Sequence, residues 1–360
     1  MAREFSRRDV LAGMGAFALS PGLSDPFFQD KPVGWAVLGL GGYAQWMMPA
    51  IVNSTRGKLV GLISGTPAKL EKYGAQYGVD PKNRYSYERM DEIADNPAIE
   101  VVYVITPPAT HPAFAMRAAK LGKHVCCEKP MAPTVAECQA IIDASKKAGK
   151  LLQIGYRSHY EMNNMRAMNL CRSGELGKIK SVSSDHGFDM GRGQWRLDRK
   201  LAGGGSMMDI GIYSLQALRY LTGMEPKSVT ATITNPLGDD RFGEGMEDTV
   251  NFSLQFPNGL VGKGTSGYSW NPGKNQYEVV LEKGTLRAEP ATNYRNNRLT
   301  LDGKLVDLIP NDQFPSQIDH FSECIRTGRK VRTPGEEGLR DIRLIRAIYE
   351  SARTGKSVPV

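Results

Sequence analysis

An apolar hexapeptide, Val33-Gly34-Trp35-Ala36-Val37-Leu38, runs directly into Gly39-Leu40-Gly41-Gly42-Tyr43-Ala44 and then into a stretch of helical character, AQWMMPAIVNST. Bounded by Pro32 and Gly39, the hexapeptide reads as a strand buried on both faces. A G-x-G-x-x-A turn alone is a weak signal. Here strand, glycine turn and helix come in the order a dinucleotide-binding βαβ unit requires, and a second apolar run at 58–64 follows at the matching distance. The glycines let the backbone approach a pyrophosphate, whose charge rests on the helix N-terminus. Gly39, Gly41, Gly42, Tyr43 and Ala44 are therefore candidate cofactor contacts.

The alternation continues with an apolar strand at 101–106, a helix at 111–121, a strand at 124–127, a helix at 134–148 and a last strand at 151–154. Residues 33–155 thus read as a Rossmann domain with a doubly wound parallel sheet, an α/β fold that binds ligands at the C-terminal strand ends. Two segments fall on that edge, Thr106-Pro107-Pro108 with nearby His111, and Glu128-Lys129-Pro130. The end of the second strand bears on cofactor choice. An NAD site usually places an acid there for the ribose 2′-hydroxyl. This chain has Ser64-Gly65-Thr66-Pro67-Ala68-Lys69 with no acid before Glu71, which favours the 2′-phosphate of NADP over NAD. Lys69 could also be a solvated helix residue.

From residue 156 the pattern changes. A helix at 161–173 leads to a strand at 180–187, a glycine-rich segment and a helix through Tyr220. Strand-like runs follow at 228–234, 249–256, 260–266, 277–282, 285–288, 299–301 and 304–308, with turns at Asn258-Gly259, Lys283-Gly284 and Asp302-Gly303. Residues 156–360 therefore read as an α+β domain with a large, mostly antiparallel open sheet. Two late helices, 317–327 and 336–354, are placed to pack back on the first domain.

Residues 1–20 carry Ser6-Arg7-Arg8 and then an apolar run from Val10 to Leu19. The run is too short for a membrane anchor but fits a signal peptide, and the paired arginines resemble a twin-arginine signal. This implies export of the folded protein to the periplasm; an ordinary amphipathic arm is the alternative. The proline-rich stretch 21–32 reads as an extended arm. Elsewhere no apolar run nears the roughly 20 residues of a membrane span. The net charge of +8 comes from 46 basic and 38 acidic side chains mixed along the chain, so nothing marks a nucleic-acid surface. Five scattered cysteines without CxxC spacing argue against a zinc site, and no metal is expected.

Glu128-Lys129-Pro130 ends an apolar strand where a nicotinamide would lie. Together with the glycine turn it resembles the glucose–fructose oxidoreductase and inositol dehydrogenase (Gfo/Idh/MocA) family. The segments Trp195-Arg196-Leu197-Asp198-Arg199, Leu201 to Tyr213 (LAGGGSMMDIGIY), Gly155 to Tyr160 (GYRSHY) and Pro334-Gly335-Glu336-Glu337-Gly338 extend the resemblance over the chain after residue 32. Many family members carry histidine where Tyr213 stands; the tyrosine version is similar to the glucose–fructose oxidoreductase branch.

The resemblance implies hydride transfer between a bound nicotinamide and sugar substrates, with Tyr213 as acid/base, Lys129 as its electrostatic partner and Asp209 as an orienting carboxylate. A phenol of ordinary pKa, about 10, is a poor base at neutral pH, and a nearby cation favours its anion. Asp209 and Tyr213 are four residues apart, so one helix can aim both at the cleft. In a purely structural reading Tyr213 is a core aromatic. Thr106, Pro107, His111, Glu128, Arg157, Trp195 and Arg196 are further cofactor candidates, and Arg157, His159, Tyr160 and Tyr268 further substrate candidates. His186 and His320 have no evident partners. The family further implies a homodimer or homotetramer through the open sheet, and a cycle in which one sugar is oxidised to a lactone and a second is reduced by the same retained cofactor. A sugar dehydrogenase with freely exchanging NAD(P), and an NAD-dependent glycosidase, are the competing readings.

Overall fold

A computed structural model describes residues 31–360 except Glu244. The expected signal peptide and most of the expected arm lie outside the described residues. Six strands, β1 Val33–Leu38, β2 Gly57–Ile63, β3 Arg84–Tyr85, β4 Val101–Val104, β5 His124–Cys127 and β6 Leu152–Ile154, form one sheet in the order β3-β2-β1-β4-β5-β6. Every pairing in it is parallel. This is the doubly wound order, with its switch point between β1 and β4. The two-residue β3 was not anticipated.

Alternate residues of the central strands enter different cores. Trp35, Val37, Tyr103 and Cys126 pack with helix α1 (Ala44–Val52) and with Phe314, Ile318 and Phe321 of helix α7 (Gln313–Thr327). Ala36, Leu38, Val104 and Cys127 face the other way, into a core shared with the rest of the chain. Helix α2 (Pro67–Tyr77) follows β2, α3 (His111–Lys120) follows β4, and α4 (Val135–Lys147) opens on a Thr134–Glu137 capping box.

The second sheet has nine strands: β7 Ile179–Asp189, β8 Ser228–Thr234, β9 Thr249–Gln255, β10 Val261–Gly267, β11 Ser269–Leu281, β12 Gly284–Ala288, β13 Leu299–Leu301, β14 Lys304–Leu305 and β15 Val358–Pro359. Their order is β14-β13-β12-β11-β7-β10-β9-β8-β15, and all pairs are antiparallel except β7 with β10. One face is covered. Helix α5 (Met162–Arg172) packs on α6 (Ile212–Thr222), which lies on β7 and β10, and α8 (Gly335–Thr354) lies on β8. Alternation along β9, with Val250, Phe252 and Leu254 buried, is the signature of a sheet covered on one side. Ile233 and Val261 stay exposed.

Helix α7 packs on α1, α8 packs on α4, and a bridge joins Pro334 to Gln153 of β6. Helix α7 starts four residues earlier than expected, capped by Asp312. Pro315 sits in its first turn, where a missing N–H costs nothing. No helix among the described residues is long and apolar enough to cross a membrane.

Candidate active site

The glycine turn is built into the switch point. Gly39 has φ +93°, and a Cβ there would lie 2.6 Å from the carbonyl oxygen of Ile105 at the end of β4. Only glycine lets these two strand ends meet. Gly41 and Gly42 have nothing within 4 Å on their side-chain side. They face a cavity of about 1590 Å³ that runs from Ser64, Thr66 and Lys69 past Thr106, Pro107 and Lys129 to Asp209 and Tyr213. This open cradle, the bare backbone of the turn and the size of the cavity fit a dinucleotide. At the β2 end the lining is Ser64, Gly65, Thr66, Lys69 and Tyr87, without a carboxylate.

The Glu-Lys-Pro segment divides its labour. Glu128 folds inward, accepts a hydrogen bond from Tyr103 and is pushed up to about 7, burial being the main cause. A Cβ on Gly155 would lie 2.3 Å from its Oε1. Lys129 points into the cavity. Its Nζ donates to the main-chain carbonyl of Asp209 at 2.6 Å, lies 3.4 Å from that residue's Oδ1, and sits 4.7 Å from the centre of the Tyr213 ring.

Asp209 stands in a π-helical turn, Met207–Gly211, that leads into α6. In an α-helix a spacing of four overshoots a full turn by about 40°; the wider turn brings Asp209 and Tyr213 closer to one line on the cavity wall. The carboxylate collects Lys129, Arg196 Nε at 3.1 Å and the Tyr268 hydroxyl at 2.9 Å. Burial opposes its charge, but Lys129 and Arg196 outweigh burial and hold the carboxyl below its usual range. Behind Tyr213, His186 stacks on the ring with centroids 5.8 Å apart. Its Nδ1 contacts Ser214 Oγ at 3.0 Å, and burial pulls it down to about 3, so it is a neutral backing.

Of the residues singled out from sequence, Gly39, Gly41, Gly42, Tyr43, Ser64, Lys69, Thr106, Pro107, Glu128, Lys129, Arg157, Trp195, Arg196, Asp209 and Tyr213 all line this one cavity. Tyr268 does not line it but holds Asp209. Four readings need correction. Ala44 is fully buried against the sheet and offers no surface to a ligand. His111 is buried, with its ring nitrogens on the carbonyls of Thr106 and Pro130; it ties the two strand-end segments together rather than touching the cavity. His159 bonds Gln216 Oε1 and faces a separate, smaller pocket. Tyr160 is buried with its hydroxyl on Gln153 and Thr333. Both follow Arg157 in a short 3₁₀ turn, which fans consecutive side chains in different directions. His320 accepts from the Arg332 N–H.

Sequence reasoning missed two contributors. Tyr294, in the loop between β12 and β13, packs on Trp46 and Tyr43 of the glycine-turn helix and lines the cavity. Glu247 is buried and accepts from the backbone N–H groups of Gly205 and Met207 and from the Tyr349 hydroxyl, fixing the glycine-rich segment that delivers Asp209. Neither carried a signal: one stands in an irregular stretch, the other serves backbone forty residues away. Among the described residues no cluster of His, Cys, Asp or Glu could hold a metal.

Comparison with known proteins agrees with both sheets. Residues 33–156 match the oxidoreductase family with an NAD-binding Rossmann fold, and residues 164–287 match the GFO/IDH/MocA C-terminal domain. The D-xylose 1-dehydrogenase [NADP(+)] of Haloarcula marismortui is 30% identical over 341 residues, covering 91% of this chain and 93% of the relative. The scyllo-inositol 2-dehydrogenase (NAD(+)) of Bacillus subtilis is 25% identical, covering 83% of this chain and 88% of its own. The crystal structure of an aldose–aldose oxidoreductase from Caulobacter crescentus, complexed with glycerol, is 50% identical with a TM-score of 0.88, over 92% of this chain and 100% of the other. On these grounds the chain belongs to the GFO/IDH/MocA family of NAD(P)-dependent oxidoreductases.

Proposed function

We propose that this protein is an NADP-dependent sugar oxidoreductase that oxidises an aldose to a lactone and reduces a second sugar with the same bound cofactor. The observation that carries this reading is the meeting of Lys129, Asp209 and Tyr213 beside the glycine cradle. Gly39, Gly41, Gly42, Ser64, Thr66 and Lys69 would hold the dinucleotide, which when bound supplies a hydride acceptor and donor. The chain's own groups manage the proton. Tyr213 takes it from the sugar hydroxyl as the C–H bond gives up its hydride, and returns it to the oxygen of the second sugar when its carbonyl is reduced. Lys129 and Asp209 orient the reacting hydroxyl, and Arg196 and Tyr268 keep Asp209 in place. Similarity to a xylose dehydrogenase and to an aldose–aldose oxidoreductase supports a sugar substrate. Lys69, which has no ion-pair partner among the described residues, and the absence of a carboxylate at that end of the cavity support NADP.

Mass spectrometry of the purified, denatured protein tests the reading. Released NADP at close to one per chain, converted to its reduced form by an aldose before denaturation, is the expected result. Recovery of apoprotein that turns over only with added NAD(P) would establish an exchanging dehydrogenase instead. We also propose export by the twin-arginine route, on the strength of Arg7 and Arg8 ahead of an apolar run. Replacing both by lysine should trap active protein in the cytoplasm, and undiminished export would refute that route. A homodimer or homotetramer through the open face of the nine-stranded sheet completes the proposal; a monomer by light scattering would refute it.

A further inference from the structure

Arg157 is a buried cation with no ion-pair partner among the described residues. It is 4% exposed at the wall of the cavity, just after β6. Its Nη1 donates to Gln313 Oε1 at 2.9 Å and to the Asn293 carbonyl at 3.2 Å, and its Nη2 donates to the Thr292 carbonyl at 2.6 Å. All three acceptors are neutral, the Nε is buried without a hydrogen-bond partner, and no carboxylate among the described residues pairs with the guanidinium. What it faces instead is aromatic. Its central carbon lies 5.1 Å from the ring centre of Tyr213, 4.6 Å from that of Tyr294 and 5.9 Å from that of Phe314.

A desolvated charge is costly unless something answers it. Cation–π contacts answer part of it. Burial opposes the charge on Arg157, yet Tyr213, Tyr43 and Tyr294, once ionised, more than offset this and hold its pKa above the usual arginine value, Tyr213 contributing most among them. The other groups around Tyr213 leave room for this role. Lys129 is engaged by Asp209, which also takes Arg196. Glu128 faces Tyr43 and Tyr103 from below, and His186 behind the ring is neutral. Among the described residues Arg157 is therefore the cation around Tyr213 that no carboxylate holds in an ion pair, although its charge is felt by the buried Glu128 carboxyl.

We propose that Arg157 is a positioning residue for proton transfer: its charge, held in no ion pair, stabilises Tyr213 as the anion, while Lys129, tied to Asp209, serves the substrate. The proposal rests on Tyr213 being the acid/base. Its distinguishing property is that charge, rather than shape, is what matters.

Single-turnover reduction of the bound cofactor by an aldose, followed across pH in the holoenzyme, tests this. Three variants are compared with the parent: Arg157→Met, Arg157→Lys and Tyr213→Phe. In Arg157→Met the pH giving half the maximal rate should rise by on the order of one unit, the scale of a lost neighbouring charge, with bound cofactor retained. In Arg157→Lys it should stay at the parent's value, with the plateau rate within about tenfold, since charge survives without the fork. A lysine cannot reach all three acceptors. If the guanidinium's contacts were all that mattered, Arg157→Lys would lose rate at every pH, and that outcome, or an unmoved midpoint in Arg157→Met, overturns the proposal. Should Arg157→Met fail to hold cofactor, the lysine variant alone decides by the same criterion. A parental rate in Tyr213→Phe would instead overturn the underlying acid/base assignment, whatever the arginine variants do.

Discussion

Lys129 and Asp209 are joined twice, through the lysine's bond to the aspartate's own main-chain carbonyl at 2.6 Å and through its approach to the carboxylate at 3.4 Å. The first contact fixes the lysine whatever the charge of the second. It links the end of β5 in one sheet to the π turn that precedes α6 over the other. The site exists only where these two layers meet.

Tyr213→Phe should remove proton transfer and little else, because the ring still stacks on His186. Turnover is expected to fall about 10²–10⁴-fold, the usual contribution of a positioned acid/base, with bound cofactor unchanged. Lys129→Ala should also reduce turnover, and the double variant should lose less than the product of the single losses, since both act on one proton. Steady-state kinetics of the four proteins checks this; fully multiplicative losses would separate the two residues.

Lys69→Ala removes a cation at the end of the cavity formed by Ser64, Gly65 and Thr66. Affinity for NADP should drop by at least tenfold while that for NAD changes little, because only NADP has the 2′-phosphate for lysine to meet. Calorimetric titration of apoprotein with each nucleotide is the measurement. Equal losses would place the lysine outside the nucleotide site.

Glu247 supports the segment that delivers Asp209. Glu247→Ala leaves the Gly205 and Met207 N–H groups and the Tyr349 hydroxyl without this acceptor, and each orphaned buried donor costs about 1–3 kcal/mol. Gly205→Ala attacks the same joint from the other side: its Cβ would lie 2.1 Å from the Glu247 carbonyl oxygen. Both variants should unfold at lower temperature and lose turnover more than cofactor content. An unchanged melting temperature in either would show that the segment adapts.

All five histidines are pulled down by burial, His186 to about 3 and His111, His124, His159 and His320 to about 4. In the unfolded chain a histidine binds its proton near pH 6.5. The unfolded state therefore binds more protons between about pH 6.5 and 4, so this stability is complete above 6.5 and is lost as the pH falls. Glu128, held at about 7, and Glu247 and Asp341, both raised by burial, work in the opposite direction, since their folded forms bind the extra proton and destabilise as the pH rises; they are three carboxyls against five imidazoles. Unfolding free energy measured with denaturant should fall from pH 7 to 5, and His186→Phe should lessen the fall by about 2 kcal/mol, the cost of one fully buried imidazole over that range. An equal fall in both proteins would acquit His186.

The first sheet was readable because parallel strands buried on both faces appear as unbroken apolar runs. The two-residue β3, Arg84–Tyr85, has no such run and was invisible. Strand β11 was expected only from residue 277, since SWNPGKNQ before it is polar and holds Pro272 and Gly273; its register against β7 shifts there, which a pattern of period two cannot reveal. Within the site, Lys129, Asp209 and Tyr213 were legible because local motifs present them. His159 and Tyr160 were drawn in by their proximity to Arg157 in sequence, and the 3₁₀ turn sends them elsewhere. Tyr294 reaches the cavity only through tertiary folding, so no local pattern could nominate it.

The indole of Trp35, in the first strand, donates its N–H to Ser322 and lies edge-on to Phe321. One face of the nucleotide-binding sheet is thus finished by a helix from near the end of the chain. At roughly 5–20 residues per second of synthesis, this strand waits on the order of fifteen seconds to a minute for the helix that covers it. Vectorial folding, domain by domain as the ribosome proceeds, cannot complete the half that is made first. Its apolar face needs shelter until α7 has been made, and a chain cut short anywhere before α7 would leave Trp35, Val37 and Tyr103 with only α1 over them.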